Sequence, residues 1–134
     1  MNVRTTVVCL PVRDLDRTLA FYRGALGFAD AQADEGTIVL ELPNLSLFLM
    51  EKTAFEMYTK KAGLDARFPD NGAGIVISCA METRQEIDTI LQNVPQFGGA
   101  AAAPAGMDQT SGGYTGYLTD PDGHVWELVY PQQG

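Results

Sequence analysis

The predicted order of strands and helices occurs twice along this chain, and this repetition constrains the fold more than any single motif. In the first half, an apolar strand is followed by an amphipathic helix whose N-terminus Asp14 is placed to cap. Gly27 is the predicted stop of that helix. The strands of this half are predicted over residues 4–12, 28–33, 37–42 and 45–50.

The second half repeats this order. Thr83 and Glu86 form a capping box that precedes a second amphipathic helix. Its strands are predicted over residues 72–79, 99–104, 114–120 and 124–130. A repeat of roughly 50 to 60 residues indicates an internal duplication. Because one helix covers one face of each sheet, two such units can place their open faces around a shared cavity.

A tight turn near the C-terminus sets the register of the last two strands. Pro121 favours the second position of a type I turn, and Gly123 accepts the left-handed conformation that follows. A three-residue loop of this kind places Tyr117 opposite Glu127. Strand alternation then puts Thr115 on the same face as both. This face combines hydroxyls, a phenol and a carboxylate, which suits a solvated cavity.

Length and composition favour one globular domain over residues 1–134. It divides into a first module over 3–50, a linker over 51–71 and a second module over 72–131. Hydrophobic residues make up 46% of the chain, which excludes a disordered protein, and no apolar run is long enough to span a membrane. No signal peptide is recognised, so a cytoplasmic location is expected.

The charge of the chain bears on its partners. A net charge of −8 argues against nucleic acid and is compatible with a cationic ligand, although solubility alone also explains it. Cys9 and Cys79 lie in apolar segments and are expected to be buried free thiols.

Two motifs at opposite ends of the chain resemble the vicinal oxygen chelate superfamily, which includes glyoxalases, bleomycin-resistance proteins and extradiol dioxygenases. They are residues 12–28, with the Arg13-Asp14-Leu15 start, and residues 113–127, with the Asp120-Pro121-Asp122-Gly123-His124 turn. The nearest resemblance is to small bacterial proteins of the predicted lactoylglutathione lyase type. It implies an α+β fold of paired βαβββ modules whose cupped mixed sheets surround a cavity, and a homodimer.

The resemblance also implies where a divalent metal would bind. Transferred onto this chain, the family's four ligand positions fall at Val7, Phe48, about Gly74, and Glu127. Three of these residues cannot ligate, and one carboxylate does not hold a catalytic metal. The single histidine, His124, is expected at the surface or capping the turn. No metal cofactor is therefore expected.

The remaining question is what Glu127 does. It is either a structural remnant, a ligand anchor or an acid–base catalyst. The predicted ligand-binding residues are Val7, Phe48, Met50, Thr115, Tyr117 and Glu127. They suit a small organic ligand whose positive charge is recognised by the carboxylate. The leading hypothesis is metal-free binding or sequestration, as in bleomycin-resistance proteins. The alternative is a glyoxalase-type lyase or isomerase, or a dioxygenase, that uses a divalent metal or uses Glu127 as acid or base.

The linker allows three interpretations. It is predicted to contain a short helix over residues 52–63, with Phe55 and Tyr58 on one side. It is long for a simple connection. It can close the cavity, pack on a partner chain, or simply cross the surface.

Overall fold

The computed structural model describes residues 1–132, so the last two residues of the predicted domain, Gln133 and Gly134, lie outside the described part. The first half contains β1 (Val7–Val12), α1 (Leu15–Gly24), β2 (Ala33–Asp34), β3 (Thr37–Leu42) and β4 (Leu45–Glu51). The linker contains α2 (Lys52–Thr59) and a 3-10 turn (Lys60–Ala62). The second half contains β5 (Val76–Ala80), α3 (Arg84–Asn93), a 3-10 turn (Val94–Phe97), β6 (Ala100–Ala101), β7 (Gly106–Met107), β8 (Tyr114–Thr119) and β9 (Val125–Tyr130).

The strands form two mixed sheets of the same design. The first sheet has the order β1-β4-β3-β2, and the second has the order β5-β9-β8-β6, with β7 also paired to β8. In each sheet the first strand runs parallel to the last strand of its module. The α+β architecture of two βαβββ modules is therefore confirmed.

Helix caps fix where each module turns from strand to helix. The Asp14 carboxylate accepts a hydrogen bond from the Arg17 backbone N–H at 3.0 Å. The Thr83 hydroxyl accepts the equivalent bond from Glu86 at 3.1 Å. Each cap satisfies one backbone donor that the first helical turn leaves free, so both predicted helix starts are confirmed. Helix α1 ends at Gly24, before the predicted stop at Gly27, which adopts a positive φ of 79°.

One hydrophobic core runs through both modules. Tyr22 on α1 reaches into the second module, where its phenol donates a hydrogen bond to Asp120 at 2.7 Å and accepts one from the Trp126 indole at 3.0 Å. All three residues are buried. Asp122 in the turn accepts hydrogen bonds from the backbone and side chain of Arg13. These contacts join the start of α1 to the β8–β9 turn.

Several predicted elements differ from the observed ones. The strand predicted over 28–33 is reduced to β2, and the strand predicted over 99–104 is reduced to β6. The strand predicted over 72–79 begins four residues later, at Val76. In all three places glycine, proline or alanine offers little side chain for a sheet to pack against, so the chain passes as loop.

The linker is partly helical, as predicted. Helix α2 packs against β1 and β4 at the end of the first sheet. None of the described helices is long and apolar enough to cross a membrane.

Candidate functional site

The Glu127 surface is the face of the second sheet that no helix of its own module covers. We define it by Glu127 on β9, Tyr117 on β8 and Ser78 on β5, which the sheet register places side by side. The turn sets this register, since Asp120 N–H donates to the His124 carbonyl at 2.9 Å and Gly123 has a φ of 92°. The predicted pairing of Tyr117 with Glu127 is therefore confirmed.

Each carboxylate oxygen of Glu127 accepts one hydrogen bond from a hydroxyl group. Ser78 Oγ donates to Oε1 at 2.5 Å, and the Tyr117 phenol donates to Oε2 in a short contact. The hydrogen bond from Tyr117 to the carboxylate raises the pKa of the Tyr117 phenol, and desolvation contributes a smaller increase. The phenol therefore remains protonated near neutral pH and keeps its donor role.

No cationic side chain in residues 1–132 forms an ion pair with the Glu127 carboxylate. The ion pairs of that part of the chain join Arg13 and Arg17 to Asp122, and Lys60 to Asp65. Val125 and Val129 flank Glu127 along β9, and they pair with Thr119 and Thr115 on β8, so the surroundings of the carboxylate combine apolar groups with hydroxyls. Two neutral hydroxyls thus orient the carboxylate without neutralising it.

The other predicted ligand-binding residues occupy two places. Thr115 lies on β8 near Tyr117 and is buried, and its hydroxyl has no hydrogen-bond partner among the described residues. Val7, Phe48 and Met50 lie on the open face of the first sheet, where Met50 is buried and Val7 is 45% exposed. The structure therefore joins Tyr117 to Glu127 directly and places the first-sheet residues in a separate group.

Ser78 is a site residue that sequence analysis missed. It lies opposite Glu127 because β5 and β9 pair in parallel, and this contact joins residues 49 positions apart in sequence. The spacing between strand and helix cap in the first half is the one sequence signal that locates the equivalent positions on β5. Val7 precedes the Asp14 cap by the same number of residues as Val76 precedes the Thr83 cap.

This equivalence corrects the predicted ligand position at Gly74. Gly74 lies in the loop before β5, and Val76 is the residue that matches Val7. The two parallel pairings agree, since Val7 faces Ser46 and Val76 faces Val125. The same register matches Phe48 with Glu127.

The residues at the family's four metal positions do not fit a divalent metal. They are Val7, Phe48, Val76 and Glu127, which together supply one carboxylate. Within residues 1–132, no three His, Cys, Asp or Glu side chains are grouped so that they could hold a metal ion. These positions therefore supply too few donors for a catalytic metal.

His124 has a different position from the one predicted. It is buried, and its Nε2 lies 2.7 Å from the Pro11 carbonyl oxygen of the first module. Its backbone N–H donates to Asp120 at 2.9 Å. The histidine thus belongs to the contact between the modules, which a surface or turn-capping role does not describe.

Comparison with known proteins agrees with this architecture. A family model for the Glyoxalase/Bleomycin resistance protein/Dioxygenase superfamily matches residues 4–128. No curated protein matches the chain at a significant level.

Solved structures with the same fold share little sequence with this chain. A hypothetical protein from S. aureus has a TM-score of 0.78 at 23% identity, covering 97% of this chain and 94% of its own. A glyoxalase-related enzyme from Fulvimarina pelagi has a TM-score of 0.79 at 22% identity, covering 95% and 87%. A fosfomycin resistance protein from Mesorhizobium loti has a TM-score of 0.64 at 16% identity, covering 98% and 94%. With the family match extending over nearly the whole sequence, this chain belongs to the glyoxalase/bleomycin resistance protein/dioxygenase superfamily.

Proposed function

We propose that this protein binds a small organic cation at the Glu127 surface without a divalent metal, in the manner of a bleomycin-resistance protein. The observation that supports this most is the geometry of Glu127. Both of its oxygens accept hydrogen bonds from neutral hydroxyls, and its charge has no cationic partner in residues 1–132. An organic ammonium group supplies the missing charge, and the flanking valines suit its apolar part.

The exposure of this surface supports the proposal that the protein works as a homodimer. The Tyr117 ring, which lies beside the carboxylate, is 46% exposed, and Val76, two residues before Ser78 on β5, is 52% exposed. A second copy would cover these groups and enclose the ligand. Sedimentation equilibrium should give twice the chain mass, and a monomer across the micromolar range would contradict this part of the proposal.

The proposal is tested with 2-naphthylmethylammonium as a cationic probe and isothermal titration calorimetry as the readout. Replacing Glu127 by Gln keeps the shape and removes the charge, so we expect binding to weaken about tenfold or more. Glu41→Gln is the matched control, because Glu41 is also an exposed carboxylate that accepts a hydrogen bond from a serine, Ser46, at 2.8 Å. Equal affinity of wild type and Glu127→Gln would contradict the proposal.

The alternative function is catalysis by Glu127 as acid or base. The observation that favours it is the phenol of Tyr117, which is hydrogen-bonded to the carboxylate and is a second proton-bearing group at the site. The methylglyoxal hemithioacetal assay tests the glyoxalase form of this alternative. We expect no turnover above the uncatalysed rate, and turnover that Glu127→Gln abolishes would replace binding by catalysis.

A further inference from the structure

A second concave site lies apart from the Glu127 surface. It is a cleft of about 710 Å³ between β1 and β5, the outer strands of their sheets, and residues 67–75, the last part of the linker and the loop that leads to β5, form one wall. We call residues 67–75 the strap and this space the strap cleft. Its volume lies in the range of about 300–1,000 Å³ that is typical of small-molecule sites.

Strand alternation along β5 distinguishes the strap cleft from the Glu127 surface, although Val125, which flanks Glu127 on β9, also lines the cleft. Along β5, Ser78 points to Glu127, whereas its neighbour Ile77 lines the cleft. Successive side chains of a strand point to opposite faces, so a ligand at one site does not contact the other site through β5. Glu127, Tyr117 and Ser78 are not among the residues that line the cleft.

The lining of the strap cleft is aromatic and aliphatic. Phe55 comes from α2 and Phe68 from the strap, while Ile77 and Val125 come from the second sheet. Aromatic rings on two different elements can contact the faces and edges of a flat ligand. The lining therefore favours an aromatic ring system.

The polar groups of the strap cleft are neutral or balanced. The Cys9 thiol lines it, and burial raises the pKa of that thiol, so it carries no charge near neutral pH. The His124 ring is engaged by the Pro11 carbonyl. Arg67 and Asp70 on the strap bring one charge of each sign. A ligand with no net charge matches this balance better than an ion of either sign.

The strap is fixed to the rest of the protein. The Arg13 guanidinium lies 4.2 Å from the centre of the Phe68 ring and also bonds to the buried Asp122 carboxylate at 3.3 Å. Pro69 packs closely on Gly123, since a Cβ atom added to this glycine would lie only 3.2 Å from the Cβ of Pro69. Because the turn and Arg13 hold the strap in place, this wall exists before any ligand binds.

We propose that the strap cleft is a second binding site, for a flat aromatic molecule without net charge. This site does not depend on the function proposed for Glu127. The linker, whose role the sequence left open, would then serve as a wall of a ligand site.

Three probes of similar shape test the charge preference on the full chain. They are 2-naphthol, which is neutral, 2-naphthoate, an anion, and 2-naphthylmethylammonium, a cation. We expect 2-naphthol to bind saturably and about tenfold more tightly than 2-naphthoate. Phe68→Ala should weaken 2-naphthol binding about tenfold, because it removes an aromatic wall. Unchanged binding in that variant, or no saturable binding of 2-naphthol to the wild type, would overturn the proposal.

Alkylation of the cysteines gives a readout that does not rely on a variant folding correctly. Cys9 lines the strap cleft, whereas Cys79 does not. Saturating 2-naphthol should slow the reaction of Cys9 with iodoacetamide about fivefold or more and leave Cys79 unchanged. Equal protection of both cysteines, or of neither, would contradict the site.

The two proposals fail independently. Glu127→Gln should leave 2-naphthol affinity unchanged while it weakens the binding of the ammonium probe. If Glu127→Gln weakens 2-naphthol binding about as much as Phe68→Ala does, the neutral probe binds at the Glu127 surface and the strap-cleft proposal is wrong. If Glu127→Gln leaves the affinity for the ammonium probe unchanged but 2-naphthol still protects Cys9, only the function proposed for Glu127 is wrong.

Discussion

The two modules have the same backbone and different chemistry at equivalent positions. On the open face of the first sheet, Phe48 lies between Cys9 and Val39. At the matching place in the second sheet, Glu127 lies between Ser78 and Tyr117. A row of three apolar or weakly polar side chains in one module thus corresponds to a hydrogen-bonded polar row in the other. The duplicated fold is kept by the core, while the open faces are free to differ.

The modules also differ in how they contact each other. Tyr22 on α1 and Leu91 on α3 lie at the same distance from their helix caps, and both are buried. Leu91 packs against Gly116 within its own module. Tyr22, in contrast, is hydrogen-bonded to Asp120 and Trp126 of the other module. The turn of the first module is shorter, with Leu42 paired directly to Leu45. Polar groups of both modules therefore meet at the start of α1 and the β8–β9 turn.

The largest expected effect comes from breaking this junction with Tyr22→Phe. The change leaves Asp120 Oδ2 and the Trp126 indole N–H buried without their shared partner, so we expect a loss of about 2–3 kcal/mol in the free energy of unfolding. Urea denaturation measures it. Tyr114→Phe is the matched control, because the Tyr114 phenol donates to Asp88 at 2.5 Å at a partly buried position within one module. Equal losses in the two variants would contradict the special role of the junction.

A smaller effect is expected from Ser78→Ala, which makes the second module more like the first at this row. Glu127 loses one of its two hydrogen bonds but keeps its charge, so binding of 2-naphthylmethylammonium should weaken about threefold to fivefold. Ser46→Ala removes the corresponding hydroxyl from Glu41 and should leave the affinity unchanged. Calorimetry that finds the two serine variants alike would mean that Ser78 does not position the carboxylate.

The sequence alone predicted the pairing of β8 with β9, because a short turn controls it. The Pro121–Gly123 loop fixes a local register, and that register placed Tyr117 opposite Glu127. Ser78 was missed because its partner is 49 residues away on a parallel strand, where no turn transmits the register. The buried position of His124 and the wall formed by Phe68 depend on contacts between modules and with a loop, for which the sequence has no periodic pattern.

An effect of about the same size as that of Ser78→Ala concerns pH and the buried Asp120. Burial raises the pKa of this carboxyl group, against the opposing influence of His124 and of hydrogen bonds from Tyr22 and the turn. Between the ordinary aspartate pKa and the raised value, the folded protein binds more protons than the unfolded chain. The contribution of Asp120 to stability is therefore greatest at low pH and decreases as pH rises through that interval.

Asp120→Asn should remove this dependence. From about pH 4 to about pH 7, wild type should lose stability relative to the variant by on the order of 1 kcal/mol, measured by urea denaturation at each pH. The variant also loses hydrogen-bond energy, but that loss does not change with pH. A stability difference that stays constant over this range would show that the carboxyl pKa is not raised in the folded state.

Metal content tests the central claim most directly, namely that a superfamily member with one surviving carboxylate binds its ligand without a metal. Purified protein would be equilibrated with Ni²⁺, Zn²⁺, Mn²⁺ or Fe²⁺, separated from free ion, and analysed by inductively coupled plasma mass spectrometry beside Glu127→Gln. Our prediction is far less than one ion per chain in both proteins, and ammonium binding that chelators do not change. One tightly held ion per chain in the wild type that is lost in Glu127→Gln would contradict it.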